Sequence, residues 1–253
     1  MNMNADLARW SRLMMGAAIA VSIAALVGCG GSGSPAFDPK KADALAHTAL
    51  ITTDELPGKG WYVTATDDFE EDQKLSDTAN TSACKAVDGK TPEMDRVSTK
   101  NREGRAKVTL EQEAGADDIF PISIDESISI FSSNSAPSEA MKLFREVVSG
   151  RDFRTCMSDM MKAAVGSDSG VEVKLVDAKA SRPAPEGGLA TAFRIDISAQ
   201  GEKASMQFEI YIWRFENAGV SLQFTGPSDK VDAKLVGAVL DAATKALKTT
   251  ATE

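Results

Sequence analysis

One histidine and three cysteines in a chain of 253 residues leave little material for side-chain chemistry. His47 is the sole imidazole and falls in an early helical segment, which makes a Ser/His/Asp or Cys/His arrangement improbable. The chain contains no G-x-S-x-G elbow, phosphate loop or dinucleotide fingerprint. Ser82-Ala83-Cys84-Lys85 has S-x-x-K spacing, but no K-T-G or S-D-N partner accompanies it, and a chain rich in serine and lysine produces such a match by chance. Acidic pairs such as Asp117-Asp118 are of the type used in glycoside hydrolysis, a chemistry defined by a carboxylate separation that sequence does not carry. The acidic stretch at residues 67–82 lacks the alternating oxygen ligands and central glycine of a calcium loop and reads as a solvated connection. We therefore expect no catalytic residue, no metal site and no cofactor.

Binding chemistry has better candidates. Near the C-terminus one strand places Phe193, Ile195 and Ile197 opposite Arg194, Asp196 and Ser198, and another places Val220, Leu222 and Phe224 opposite Ser221, Gln223 and Thr225. Between them, Phe208, Ile210 and Ile212 make one apolar face, while Glu209, Tyr211, Trp213 and Phe215 make a second, aromatic row. Tyr211 and Trp213 beside Arg194, Asp196 and Gln223 would suit an amphipathic ligand such as a sugar or peptide. The competing reading is that another element covers the row. Trp213→Ala separates the two: an exposed site loses binding, a buried one loses stability. A second candidate is the helical face of Cys156, Met157, Met160, Met161 and Ala164, whose methionines read as core packing or as an adaptable lining for an apolar ligand.

These residues must be positioned by an α+β fold. Lys40–Thr53 carries a modest amphipathic helical pattern ended by Pro57, and a strand begins near Trp61. Arg105–Glu113 and Ile122–Ser132 alternate as strands. A helix follows "SNSAPSEA", and a second runs from Arg154 to about Val165. Residues 171–180, 189–199, 204–215 and 219–226 alternate with short connections, which predicts a four-stranded antiparallel meander. A final helix, Ser228–Lys248, has one apolar side to lay on the sheet. The expected architecture is an antiparallel sheet with helices packed on one face.

The N-terminal 28 residues have the parts of an export signal: Arg9 and Arg12, an apolar run, then small residues. The run, about 15 residues long, is short of the roughly 20 that cross a bilayer. Leu26-Val27-Gly28-Cys29 resembles the bacterial lipobox, which implies cleavage before Cys29 and acylation of its thiol. Two or three acyl chains hold a protein firmly at a membrane. Residues 29–38 are a Gly/Ser/Pro tether and residues 39–253 a single extracytoplasmic domain. In a two-membrane bacterium the anchor sits in either membrane.

Removing residues 1–28 takes away two arginines and an aspartate, so the formal charge of −9 becomes −10. That acidity argues against nucleic acid and against electrostatic adhesion to anionic lipid. With Cys29 assigned to lipid, Cys84 and Cys156 remain, and in an exported chain an even remainder favours a disulfide over two buried thiols. Two cysteines and one histidine cannot supply four zinc ligands.

The lipobox, the helix leading into "LITTDELPGKGW" and a cysteine on each side of a "SISIFSS" strand and helix resemble small actinobacterial lipoproteins, whose exported part is similar to the extracellular sensor domains of bacterial serine/threonine kinases. One cysteine pair stands here where those domains carry two. The resemblance implies an antiparallel sheet with a ligand cleft and no catalytic residues. The expected function is a lipid-anchored, non-catalytic binding or sensor-like protein, with the membrane and an unidentified small-molecule, lipid or protein ligand as partners. A lipid or glycolipid carrier, a cell-wall hydrolase and a structural surface protein are the alternatives.

Overall fold

The computed structural model describes residues 39–67, 75–99, 102–114, 120–133, 136–165, 171–199 and 202–250. The signal, Cys29, the tether and Asp117-Asp118 lie outside them. Seven strands form one antiparallel sheet: β1 (Trp61–Thr66), β2 (Arg102–Gln112), β3 (Ile122–Phe131), β4 (Val171–Ala178), β5 (Leu189–Ala199), β6 (Glu202–Phe215) and β7 (Ala218–Pro227). Their spatial order is β1-β2-β3-β7-β6-β5-β4, so the C-terminal meander β4 to β7 is continued by β3, β2 and β1.

The α+β class and the meander match the sequence reading, but the helices occupy both faces instead of one. The reason is parity. In register, Tyr211 faces Leu222 and Trp213 faces Val220, whereas Phe208 faces Phe193 and Met206 faces Ile195. The apolar side of β5 and the apolar side of β7 are therefore opposite sides of the sheet. β6 lies between them and must be apolar on both. One core gathers β2, β3, β7 and the Tyr211/Trp213 row under α1 (Pro39–Thr48) and α7 (Ala233–Thr250). The other gathers β5 and the Phe208/Ile210/Ile212 row under α2 (Leu75–Thr78), α3 (Ser82–Asp88), α5 (Ala136–Val148) and α6 (Arg151–Val165). A further helix, α4 (Thr91–Thr99), runs beside α5.

Local chemistry sets the helix ends. Asp232 Oδ1 accepts from Lys234 N (2.9 Å) and Leu235 N (2.8 Å), so α7 starts at Ala233, five residues later than its apolar pattern suggests. Asp88 likewise accepts from Leu75 N and Ser76 N at 2.9 Å each, fastening α2 within what reads as a polar connection. α1 ends at Thr48, short of Thr53, and Ile51 N then donates to Glu126 Oε2 at 2.7 Å. Close approach of α1 to the sheet depends on Gly104, where a Cβ would lie 2.3 Å from the Ala42 carbonyl carbon.

Cys84 on α3 and Cys156 on α6 form a disulfide with Cα atoms 4.6 Å apart, closing a sequence separation of 72. By chain entropy a loop of that length contributes on the order of 4 kcal/mol. Met157, Met160 and Met161 are each 1% exposed beside it. They are packed in the core on that face of the sheet.

Candidate functional site

The aromatic row is not a surface. Tyr211 and Trp213 are both fully buried. The segment after β4 crosses them and is tied down by Glu209: Ser181 N donates to Glu209 Oε2 at 2.9 Å, Ser181 Oγ and Gln207 Nε2 donate to Oε1, and the Tyr211 hydroxyl donates to Oε2. Arg182 N donates in turn to the Tyr211 oxygen at 3.2 Å. The Arg182 guanidinium lies where a side chain on Gly237 of α7 would stand, 2.8 Å from its ideal Cβ. Burial, first, and the Glu209 hydrogen bond push the Tyr211 hydroxyl's pKa above its usual value.

The polar residues grouped with this row separate. Gln223 pairs with Ile210, which places it on the other side of the sheet from Tyr211. Arg194 and Asp196 share the Tyr211 side but engage each other, Nε to Oδ1 at 2.8 Å and Nη2 to Oδ2 at 3.2 Å, with Ser205 Oγ also donating to Oδ1. The Arg194 hydrogen bond, then that of Ser205, holds the Asp196 carboxyl below the usual carboxylate range. The five residues form no common site. His47 is exposed on α1, with Nε2 2.6 Å from Asp67 Oδ2, a contact that raises its pKa. Ser82 and Lys85 sit on α3 with the intervening Cys84 in the disulfide.

What the structure does build is a groove on the Gln223 side. There β3 and β7 present small groups: Ser129 pairs with Gly219 and Ser127 with Ser221. β6, the next strand, presents Ile212. α5 spans this step in side-chain size, and its Pro137, Met141 and Phe144 form a wall above the serine floor. The groove holds about 70 Å³ of free space and opens to solvent. Phe131 closes one end, its ring 3.2 Å from an ideal Cβ on Gly219, so a larger residue at 219 would displace it.

Ser129 is 4% exposed, and its Oγ has no hydrogen-bond partner among the described residues. Leaving a buried hydroxyl unpaired costs about 1–3 kcal/mol, and a ligand donor or acceptor in the groove would recover it. The signal was present in "SIDESISIFSS". Its isoleucines read as a buried strand face, and the opposite row of serines, too small to fill the space beneath a helix, is the groove floor.

No known protein family matches this chain, and no curated protein matches it. Among solved structures it is similar to the extracellular domain of PknH from Mycobacterium tuberculosis, with a TM-score of 0.41 and 10% identity over 87% of this chain and 100% of that one. A likeness at that level carries no argument about what this chain binds.

Proposed function

We propose that this protein is a non-catalytic, sensor-like binding module outside the cytoplasm, held at a membrane by acyl chains on Cys29, and that its ligand site is the groove between α5 and the serine floor of β3 and β7. The carrying observation is the buried Ser129 Oγ, without a hydrogen-bond partner among the described residues, in the serine floor of a groove whose α5 wall is apolar. The groove's free space of about 70 Å³ favours a binding module over a carrier. A dry engineered cavity of ~150 Å³ takes up benzene, so a space half that size receives part of a ligand and does not enclose a lipid.

The test is equilibrium dialysis of radiolabelled octanol against the acylated chain in phosphatidylcholine nanodiscs, with empty nanodiscs as the blank. Saturable binding is expected, and Ser129→Phe or Ser221→Phe, entering from two strands, should weaken it at least tenfold. Uptake equal to the blank, with octanoate equally unbound, or uptake that both substitutions leave unchanged, would overturn the reading. The anchor and the bridge are read by one intact mass of the detergent-extracted chain. It should begin at Cys29, carry acyl chains, and lie two hydrogens below the reduced form. A chain that begins at Met1, or lacks acyl mass, removes the anchor.

A further inference from the structure

The groove is small and its two sides differ in chemistry, and those two limits together describe what enters it. Its free space of about 70 Å³ is roughly the share of two water molecules in the liquid. Met141 and Phe144 of α5 and Ile212 of β6 ask for an apolar surface on one side of the occupant. In the floor the buried Ser129 hydroxyl, without a hydrogen-bond partner among the described residues, asks for a polar atom on the other.

Charge narrows the choice. Every described side chain that lines the groove is neutral, either a serine or an apolar group. A carboxylate or ammonium drawn from water into that setting would find hydroxyls alone to replace its hydration, whereas an uncharged amide gives up far less. The acetamido group satisfies all three limits. Its methyl suits Met141 and Phe144, its carbonyl oxygen is an acceptor for Ser129 Oγ, and it is small. The remainder of such a ligand lies where the groove opens to solvent. Ser127 and Ser221 pair across β3 and β7 in the floor and are only partly buried. A serine hydroxyl both donates and accepts, as the hydroxyls of a sugar do. The backbones of β3 and β7 already pair with each other there, which leaves a peptide no strand edge to join.

We infer that the groove takes the acetamido group of an N-acetylated amino sugar, with its carbonyl oxygen accepting from Ser129 Oγ, its methyl against Met141 and Phe144, and the sugar ring over Ser127 and Ser221. This rests on the groove being the ligand site. The small free space and the buried hydroxyl select the acetamido group, and the two partly buried serines supply partners for the ring. A sugar with a hydroxyl in place of the acetamido group offers the apolar wall no methyl.

The experiment extends the dialysis of the acylated chain in phosphatidylcholine nanodiscs to radiolabelled triacetylchitotriose and to cellotriose, which has a hydroxyl in place of each acetamido group. Triacetylchitotriose should bind about tenfold or more tightly than cellotriose and should displace octanol. Ser129→Ala removes the hydroxyl and keeps the space, so it should weaken the acetylated sugar about three- to tenfold. Its urea midpoint should stay at or above that of the wild type, because an unpaired buried hydroxyl is gone. Saturable octanol binding with no preference between the two sugars would overturn the acetamido group and leave the groove standing. A preference for triacetylchitotriose that Ser221→Phe leaves intact would put the sugar elsewhere and overturn the inference. Tighter binding of N-acetylalanine methylamide than of the acetylated sugar would overturn it in favour of an acetylated peptide. Binding of neither octanol nor either sugar would overturn both readings.

Discussion

Replacing Trp213 by alanine should destabilise the protein by about 3–5 kcal/mol, the range for emptying a fully buried aromatic site. Its indole is 0% exposed on the β6 side covered by α7 and the segment after β4, opposite Val220 in register. Urea unfolding in the cold, where the variant stays folded, measures the loss. The same variant should bind octanol in the α5 groove as the wild type does, because groove and indole lie on opposite faces of the sheet. Trp213→Phe makes an informative companion. Trp213 Nε1 is buried with no acceptor among the described residues, so phenylalanine sheds an unpaired donor while losing some packing, and should cost much less than alanine. Lost binding with unchanged stability in Trp213→Ala would return the ligand to the aromatic row.

The second large effect is a pH slope centred on Glu126. This side chain is fully buried in the core beneath α1; Oε2 accepts from Ile51 N at 2.7 Å and Oε1 has no partner among the described residues. Desolvation dominates, the Ile51 hydrogen bond opposes it, and the nearby charge of Glu55 adds to it, so the carboxyl is pushed up to about 8 from 4.5. Below 4.5 the group is protonated in folded and unfolded chains alike and exerts no linkage. Between 4.5 and 8 the unfolded chain releases a proton that the folded chain keeps, so stability is lost as pH rises. At about 1.4 kcal/mol per pH unit, the window amounts to a loss on the order of 5 kcal/mol.

Glutamine at 126 keeps an acceptor for Ile51 N and has no proton to lose. Glu126→Gln should match the wild type near pH 4 and be the more stable protein by several kcal/mol near pH 9, in urea titrations across that range. His47, whose bond to Asp67 raises its pKa, also contributes stability that fades as pH rises, so the diagnostic is the difference between the two proteins and not either slope. Parallel profiles for both would show that Glu126 is not the buried acid described. The contact matters for organisation as well. Ile51 follows α1, the first of the described helices, so the bond ties that helix to the sheet.

Much of the fold was legible because its determinants are local. Alternation located β2, β3 and the meander, apolar stripes located α5, α6 and α7, and cysteine parity, read on the expectation of export, pointed to the Cys84–Cys156 bridge. Legibility failed where an element depends on a remote partner. α2 has only four residues and is held by Asp88, 12 and 13 positions away, so no periodic stripe announces it.

The sequence by itself determined which residues of each strand share a side, since side chains alternate with a period of two whatever surrounds them. It also determined that β6 has two apolar sides, and its thin inventory of nucleophiles and bases argued for binding over catalysis. Only the tertiary structure decided how those sides align, because register between strands is a long-range choice. That choice put Gln223 opposite to Tyr211, sent the helices to both faces, and brought Ser127 of β3 beside Ser221 of β7 in the groove floor. It likewise decided that Tyr211 and Trp213 are core and that Ser129 lies in a groove. Whether a side chain is buried depends on what is packed over it, here the segment bonded to Glu209 in one case and the step beneath α5 in the other.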